Sequence, residues 1–183
     1  MAVGDPTTLL DRVCGRLAPD GGSVLVGFDF PIGLPLALAR AAGFDSFVCI
    51  VEKLGRGEWA SFFDVHRTVA DISLHRPFYP LGNGVPAGSV QRTHLHDALG
   101  LTREELLRRC DRLTGAEVLF WTLGATQVGK GPLIGWQEVL QPGLGRIRLW
   151  PFDGPLLELL APAFPSWPKR TPRPCTISSI FAP

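Results

Sequence analysis

The chain has 183 residues, of which 45% are hydrophobic and 19% charged, and its net charge is +1. This composition is typical of one globular domain with a sizeable core and excludes a disordered chain. The near-neutral charge gives no basic field for nucleic acid, and the cysteines and histidines lack zinc-binding spacing. No run is long enough to span a membrane and no leader pattern stands first, so we expect a cytoplasmic protein with no membrane partner.

Apolar runs that alternate with helical patterns predict an α/β fold with a mixed or parallel sheet flanked by helices. The predicted strands cover residues 24–27, 118–123 and 147–150. The predicted helices cover residues 5–17, 36–42, 45–54, 102–113, 133–140 and 154–160. Asp5 and Pro6 predict the start of the first helix, and Thr102 with Glu105 predicts a capping box. We expect one domain over residues 1–161 and a loose, proline-rich tail over residues 162–183.

Asp29 is the first candidate site residue, because it follows the apolar run 24–27 and precedes Pro31 and Gly33. A carboxylate at the end of a buried strand requires hydrogen-bond donors, a cation or a metal ion. Two interpretations follow from this position. Asp29 either binds a metal ion in a cleft or caps the turn that follows it.

Asp153 repeats this arrangement after the apolar run 147–150. If the two strands are neighbours, Asp29 and Asp153 share a divalent cation; otherwise Asp153 is the N-cap of the helix over residues 154–160. Glu138 is the only acid of its predicted helix, and it points either to solvent or into the same cleft.

The segment GATQVGKG, residues 124–131, has the spacing of a Walker A phosphate loop. Gln127, Gly129 and Lys130 are therefore candidate phosphate-binding residues. Gly131 stands where such loops have Ser or Thr, and Pro132 removes a backbone donor. The alternatives are a nucleotide-binding loop, a phosphate contact by Lys130 without nucleotide hydrolysis, and a tight turn with a solvated lysine.

Three motifs resemble a family of uncharacterised bacterial and archaeal proteins predicted to have a ribonuclease-H-like fold. These motifs are GFDFPIGLP (residues 27–35), FWTLGATQVGKGPLIGWQEVL (120–140) and RLWPFDGPL (148–156). The resemblance implies a metal-dependent nuclease or other phosphodiester hydrolase that uses Mg²⁺ or Mn²⁺, with nucleic acid or another phosphate-containing substrate. It also implies that Asp29 is a metal ligand.

The family pattern has two further acids, one on an earlier strand and one on a later strand, and neither has a counterpart here. Residues 162–183 stand where the later strand is expected. We therefore expect an incomplete or frame-shifted copy, with exposed sheet edges through which it self-associates. The alternatives to a metal-dependent hydrolase are a nucleotide-binding protein that uses residues 124–130 and a binding module without turnover.

Overall fold

The computed structural model describes residues 4–82, 89–124 and 127–160. Within these ranges the chain is helical and has no β-strand, so the predicted α/β fold with a ribonuclease-H-like sheet is wrong. The helices are α1 (Leu9–Leu17), α2 (Leu36–Ala41), α3 (Phe47–Val51), α4 (Thr93–Leu99), α5 (Arg109–Thr114), α6 (Lys130–Ile134), α7 (Gln141–Gly143) and α8 (Leu156–Leu160). A π-helical stretch, Gly135–Leu140, joins α6 to α7, and we call the continuous helix over residues 130–143 the central helix.

The predicted helix starts are confirmed where a side chain satisfies the first free N–H groups. The Asp5 carboxylate accepts the Thr7 N–H at 2.9 Å, and a 3₁₀ turn, Pro6–Thr8, leads into α1. The helix predicted at residue 36 is also present, and Gly43 with φ +69° follows its end. Asp45 is not the cap of α3, because Ser46 occupies that position.

The helix predicted from Thr102 is divided in two. The capping box forms, since Thr102 N–H donates to Glu105 Oε2 at 2.8 Å, but α5 begins only at residue 109. The amphipathic pattern of residues 102–113 predicts that Leu106, Leu107, Cys110 and Leu113 face inward. Leu106 and Leu107 are buried, whereas Cys110 and Leu113 are exposed. The prediction for the inward face is therefore correct only for its first half.

The predicted strand over residues 24–27 fails because the segment is not buried. Leu25 is 63% exposed and Gly27 is exposed as well. Gly21 and Gly22 precede it with φ +92° and +121°, in the left-handed region that glycine tolerates. An apolar run without a partner strand has nothing to pair its backbone groups with, so extended pairing does not form.

The strands predicted at 118–123 and 147–150 fail because their backbone groups have other partners. In the described residues the bridges are isolated ones: Val65 pairs with Phe78 and Tyr79 with Trp121 in parallel, and Ser73 pairs with Arg76 in the antiparallel sense. Pro80 has no N–H and cannot continue this ladder, so Leu81 donates to His66 O instead. With no sheet in the described residues, the sheet edges expected to drive self-association are also absent there.

The core is an aromatic cluster packed against the central helix. Phe62 contacts the rings of Phe78, Phe120 and Trp136 at centroid distances of 5.8, 6.4 and 6.5 Å. All four side chains are completely buried, as expected for most of the aromatic residues. This cluster fixes the inner face of the central helix and leaves its first residue, Lys130, at the surface.

The proline-rich tail predicted over residues 162–183 lies outside the described residues. In the part of the chain that is described, no helix combines the length and the apolar character needed to cross a membrane.

Candidate functional site

The first and second motifs meet where Phe30 lies against the central helix. A Cβ atom on Gly131 would lie 2.8 Å from Phe30 Cβ, and one on Gly135 would lie 2.6 Å from the Phe30 ring. These two glycines are one turn apart and so lie on the same face of the helix. Gly131 is therefore a packing residue at the position where a Walker loop has its hydroxyl side chain.

The third motif completes this contact. The buried Trp136 indole N–H donates to Pro31 O at 2.7 Å, which ties the central helix to the first motif. Gly33 has φ +113°, and a Cβ atom there would lie 2.8 Å from the ring of Phe152. We call this meeting point of residues 28–33, 129–136 and 150–153 the motif junction.

Asp29 lies at the edge of the motif junction and is exposed. Among the described residues its carboxylate has neither a hydrogen bond nor an ion pair. Asp29 does not cap the turn that follows it. Such a turn would need a backbone N–H at residue 31, and Pro31 has none. Asp29 is thus not at a buried strand end, but its oxygens are open to a ligand.

The loop before the central helix does not offer its backbone to phosphate. Gly129 N–H donates to Trp121 O at 2.8 Å, Lys130 N–H to Gln127 O at 3.2 Å and Gly131 N–H to Val128 O at 3.3 Å. A phosphate loop needs these donors free and converging on the anion. Residues 125 and 126 of the same segment lie outside the described residues.

The residues of this loop differ in their exposure to solvent. Lys130 and Gln127 are exposed, while Gly129 is buried. A Cβ atom on Gly129 would lie 2.9 Å from Trp121 O and 3.0 Å from Leu119 O. Gly129 therefore serves close packing, and Lys130 is the residue of this loop that faces solvent with a charge.

Asp153 is held by its own loop. Its Oδ2 accepts the Leu149 N–H at 2.7 Å, and its N–H donates to Leu149 O at 2.8 Å. The side chain is half-buried and points back along the chain, although the sequence placed it as an N-cap ahead of α8 or as a partner of Asp29. One of its oxygens is thereby committed to shaping residues 149–153.

Glu138 is exposed on the central helix, about two turns beyond Lys130. Within residues 4–82, 89–124 and 127–160, no three His, Cys, Asp or Glu side chains form a group that could hold a metal ion. The contact between Phe30 and Gly131 brings the chain at Asp29 close to the chain at Lys130, whereas one carboxylate oxygen of Asp153 is already used within its own loop.

No family model, curated protein or solved structure matches this chain.

One polar pair, Tyr79 and His94, has no signal in the sequence. The Tyr79 hydroxyl and the Gln91 N–H both approach His94 Nδ1, at 3.1 and 3.3 Å. Because the backbone N–H can only donate, Nδ1 is the acceptor and the phenol donates to it. Burial raises the pKa of the Tyr79 phenol. The partners are 15 residues apart without a motif, so only the fold brings them together.

Proposed function

We propose that this chain binds a divalent cation, Mg²⁺ or Mn²⁺, at Asp29 and hydrolyses a phosphodiester or another phosphate-containing substrate. One observation carries the proposal. Gly131 and Phe30 are in contact, and the residues just before them in sequence are Lys130 and Asp29. Since neighbouring Cα atoms are about 3.8 Å apart, the Cα atoms of Asp29 and Lys130 are no more than about 13 Å apart. Both side chains are exposed, so a cation at Asp29 and the positive charge of Lys130 are both accessible to a phosphate group from solvent.

The residues fit the coordination that Mg²⁺ prefers. This ion keeps several waters and is bound through one or two carboxylates together with substrate phosphates, so a three-acid cluster is not required. Bound there, the ion would neutralise charge on the phosphate and activate a water. Asp29 would hold the cation, and Lys130 would add a positive charge on the phosphate as a point contact.

The resemblance in the three motifs supports the same chemistry through Asp29. We include in this proposal that the substrate is a nucleic acid or another phosphate-containing molecule and that the protein is cytoplasmic. The proposal does not depend on a sheet, because the contact between Phe30 and the central helix supports it instead.

Calorimetric titration with Mn²⁺ tests the proposal. We expect Asp29→Asn to weaken Mn²⁺ binding by at least tenfold, because the variant keeps the size of the side chain and loses its charge. Asp153→Asn is the matched control, since the amide oxygen can still accept the Leu149 N–H. Equal losses in both variants, or unchanged affinity in Asp29→Asn, would contradict the role of Asp29.

A second titration separates the alternatives. With Mn²⁺ present, inorganic phosphate should bind the wild type and bind Lys130→Ala at least several-fold more weakly. ATP binding that needs Lys130 but neither Mn²⁺ nor Asp29 would instead favour the nucleotide-binding alternative. Absence of Mn²⁺, phosphate and ATP binding would favour a module without turnover.

A further inference from the structure

His66 is a buried imidazole with an unsatisfied nitrogen. The residue is only 7% exposed, and its Nε2 has no hydrogen-bond partner among the described residues. Its backbone is paired on both sides: His66 N–H donates to Phe78 O at 3.0 Å, and His66 O accepts the Leu81 N–H at 2.7 Å. His66 therefore lies where its own segment is hydrogen-bonded to residues 78–81.

The paired segment continues to the central helix. Tyr79 N–H donates to Phe120 O and Thr122 N–H donates to Tyr79 O, both at 3.1 Å. The Thr122 hydroxyl donates to Pro80 O at 2.6 Å, and Gly129 N–H donates to Trp121 O at 2.8 Å. We call this series of bonds, through residues 66, 78–81, 120–122 and 129, the backbone ladder.

Three charged groups act on the His66 ring. Arg76 opposes its protonation, whereas Asp71 and Asp64 favour it, and Arg76 Nη2 lies 3.8 Å from Asp64 Oδ2. Burial is the largest influence, and together with Arg76 it lowers the pKa of His66 below its ordinary value of 6.5. The turn Val69–Asp71, which contains Asp71, also packs against α4, and α4 carries His96, whose Nε2 is likewise buried without a partner in the described part.

The sign of the pH effect follows from proton binding. A histidine whose pKa is lower in the folded chain binds fewer protons when folded than when unfolded. Its contribution to stability is complete above the unfolded value near 6.5 and is lost progressively as the pH falls from there toward the folded pKa. Opening of the ring's surroundings relieves the cost of a buried, unpaired charge.

We propose that His66 is an acid-sensitive latch, whose protonation opens the backbone ladder and releases the start of the central helix from residues 119–122. The opening is local, since the bonds of the ladder are isolated ones and no continuous strand within residues 4–82, 89–124 and 127–160 supports them. This inference does not rest on the proposed function, because neither Asp29 nor Lys130 takes part in the ladder.

Native-state hydrogen exchange tests the latch. We expect the protection factors of the amides of Tyr79, Leu81 and Thr122 to fall several-fold between pH 7.5 and pH 5, because protonation of His66 favours the opened ladder. The amides of Ala39 and Ala42, which are bonded within and next to α2, serve as internal references and should change little. Equal protection of the ladder amides at both pH values, or an equal fall at Ala39 and Ala42, would overturn the proposal.

Matched variants assign the effect to His66. His66→Gln should remove the pH dependence of ladder exchange, while His75→Gln, at an exposed histidine of the same segment, should retain it. Asp71→Asn provides a test that leaves His66 in place. Because it removes a charge that favours protonation and leaves an acceptor for the Thr68 hydroxyl, it should enlarge the fall in protection. A smaller fall in Asp71→Asn, or an undiminished one in a folded His66→Gln, would overturn the latch; Asp29→Asn should leave it unchanged.

Discussion

Asp29 and Asp153 occur in similar sequence motifs, but their carboxylates differ in exposure and in hydrogen bonding. Each is followed two residues later by a proline, Pro31 or Pro155, so neither finds an N–H at the position that a forward turn would use. Asp153 turns back and accepts the Leu149 N–H at 2.7 Å, whereas Asp29 is exposed and has no such partner in the described residues. The local backbone therefore decides which acid is structural and which can take a ligand.

The two acids also differ in what surrounds them. Asp153 belongs to a loop that closes on itself, because its N–H and carboxylate both bind Leu149. Asp29 precedes Phe30, which is packed against Gly131 and Gly135 of the central helix. An open acid beside a rigid contact is better suited to binding than a half-buried acid whose oxygen is already used.

The largest expected effect tests whether the motif junction is the rigid part of this comparison. Trp136→Ala should lower the free energy of unfolding by about 3–5 kcal/mol, because it removes a fully buried aromatic side chain. It also removes the donor to Pro31 O. Denaturant titration measures the loss.

Trp150→Ala is the control for that experiment, because Trp150 lies in the same motif region but is 56% exposed. It should change stability by no more than about 0.5–1 kcal/mol. Similar losses in both tryptophan variants would show that the junction is not the rigid support described above.

The second prediction addresses the two acids directly. Asp153→Ala should cost about 1.5–3 kcal/mol, since a half-buried hydrogen bond to a charged group is lost. Asp153→Asn should recover part of this loss. Asp29→Ala should stay within about 0.5 kcal/mol, as expected for an exposed side chain. Thermal or chemical unfolding of the three variants provides the comparison, and an Asp29→Ala loss as large as that of Asp153→Ala would remove the distinction.

These two acids also show what the sequence could and could not predict. The three motifs meet in space, since Phe30, Trp136 and Phe152 all lie at the junction, but the sequence predicted no contact among these side chains. The periods of α1 and of the central helix were evident as well. The sheet was predicted wrongly because short apolar runs of four to six residues do not distinguish a strand from irregular buried chain.

The remaining errors have local causes. Pro80 lacks the N–H that would extend pairing beside Tyr79, and the Asp153 carboxylate occupies the Leu149 N–H in the third predicted strand. Pairing depends on partners far along the chain, which one sequence does not reveal. The open carboxylate of Asp29 likewise depends on what its neighbours leave unbonded.

The third stability prediction separates packing from phosphate binding at the start of the central helix. Gly129→Ala should cost about 1–3 kcal/mol, because its Cβ would press on the carbonyl oxygens of Trp121 and Leu119. Gly145→Ala is the matched control, since nothing lies within 4 Å of a Cβ there. An unchanged free energy of unfolding in Gly129→Ala would contradict the packing role of Gly129. It would also mean that the loop can open toward an anion.

Paramagnetic broadening by Mn²⁺ tests the central claim most directly. In a nuclear magnetic resonance titration of the wild-type chain, substoichiometric Mn²⁺ should broaden the amide signals of Phe28, Asp29 and Phe30 first, and that of Lys130 soon after. The signals of Leu149 and Asp153 should persist longer, and Asp29→Asn should abolish the selective loss. Broadening that begins at Asp153, or that is unchanged in Asp29→Asn, would contradict a cation site at Asp29.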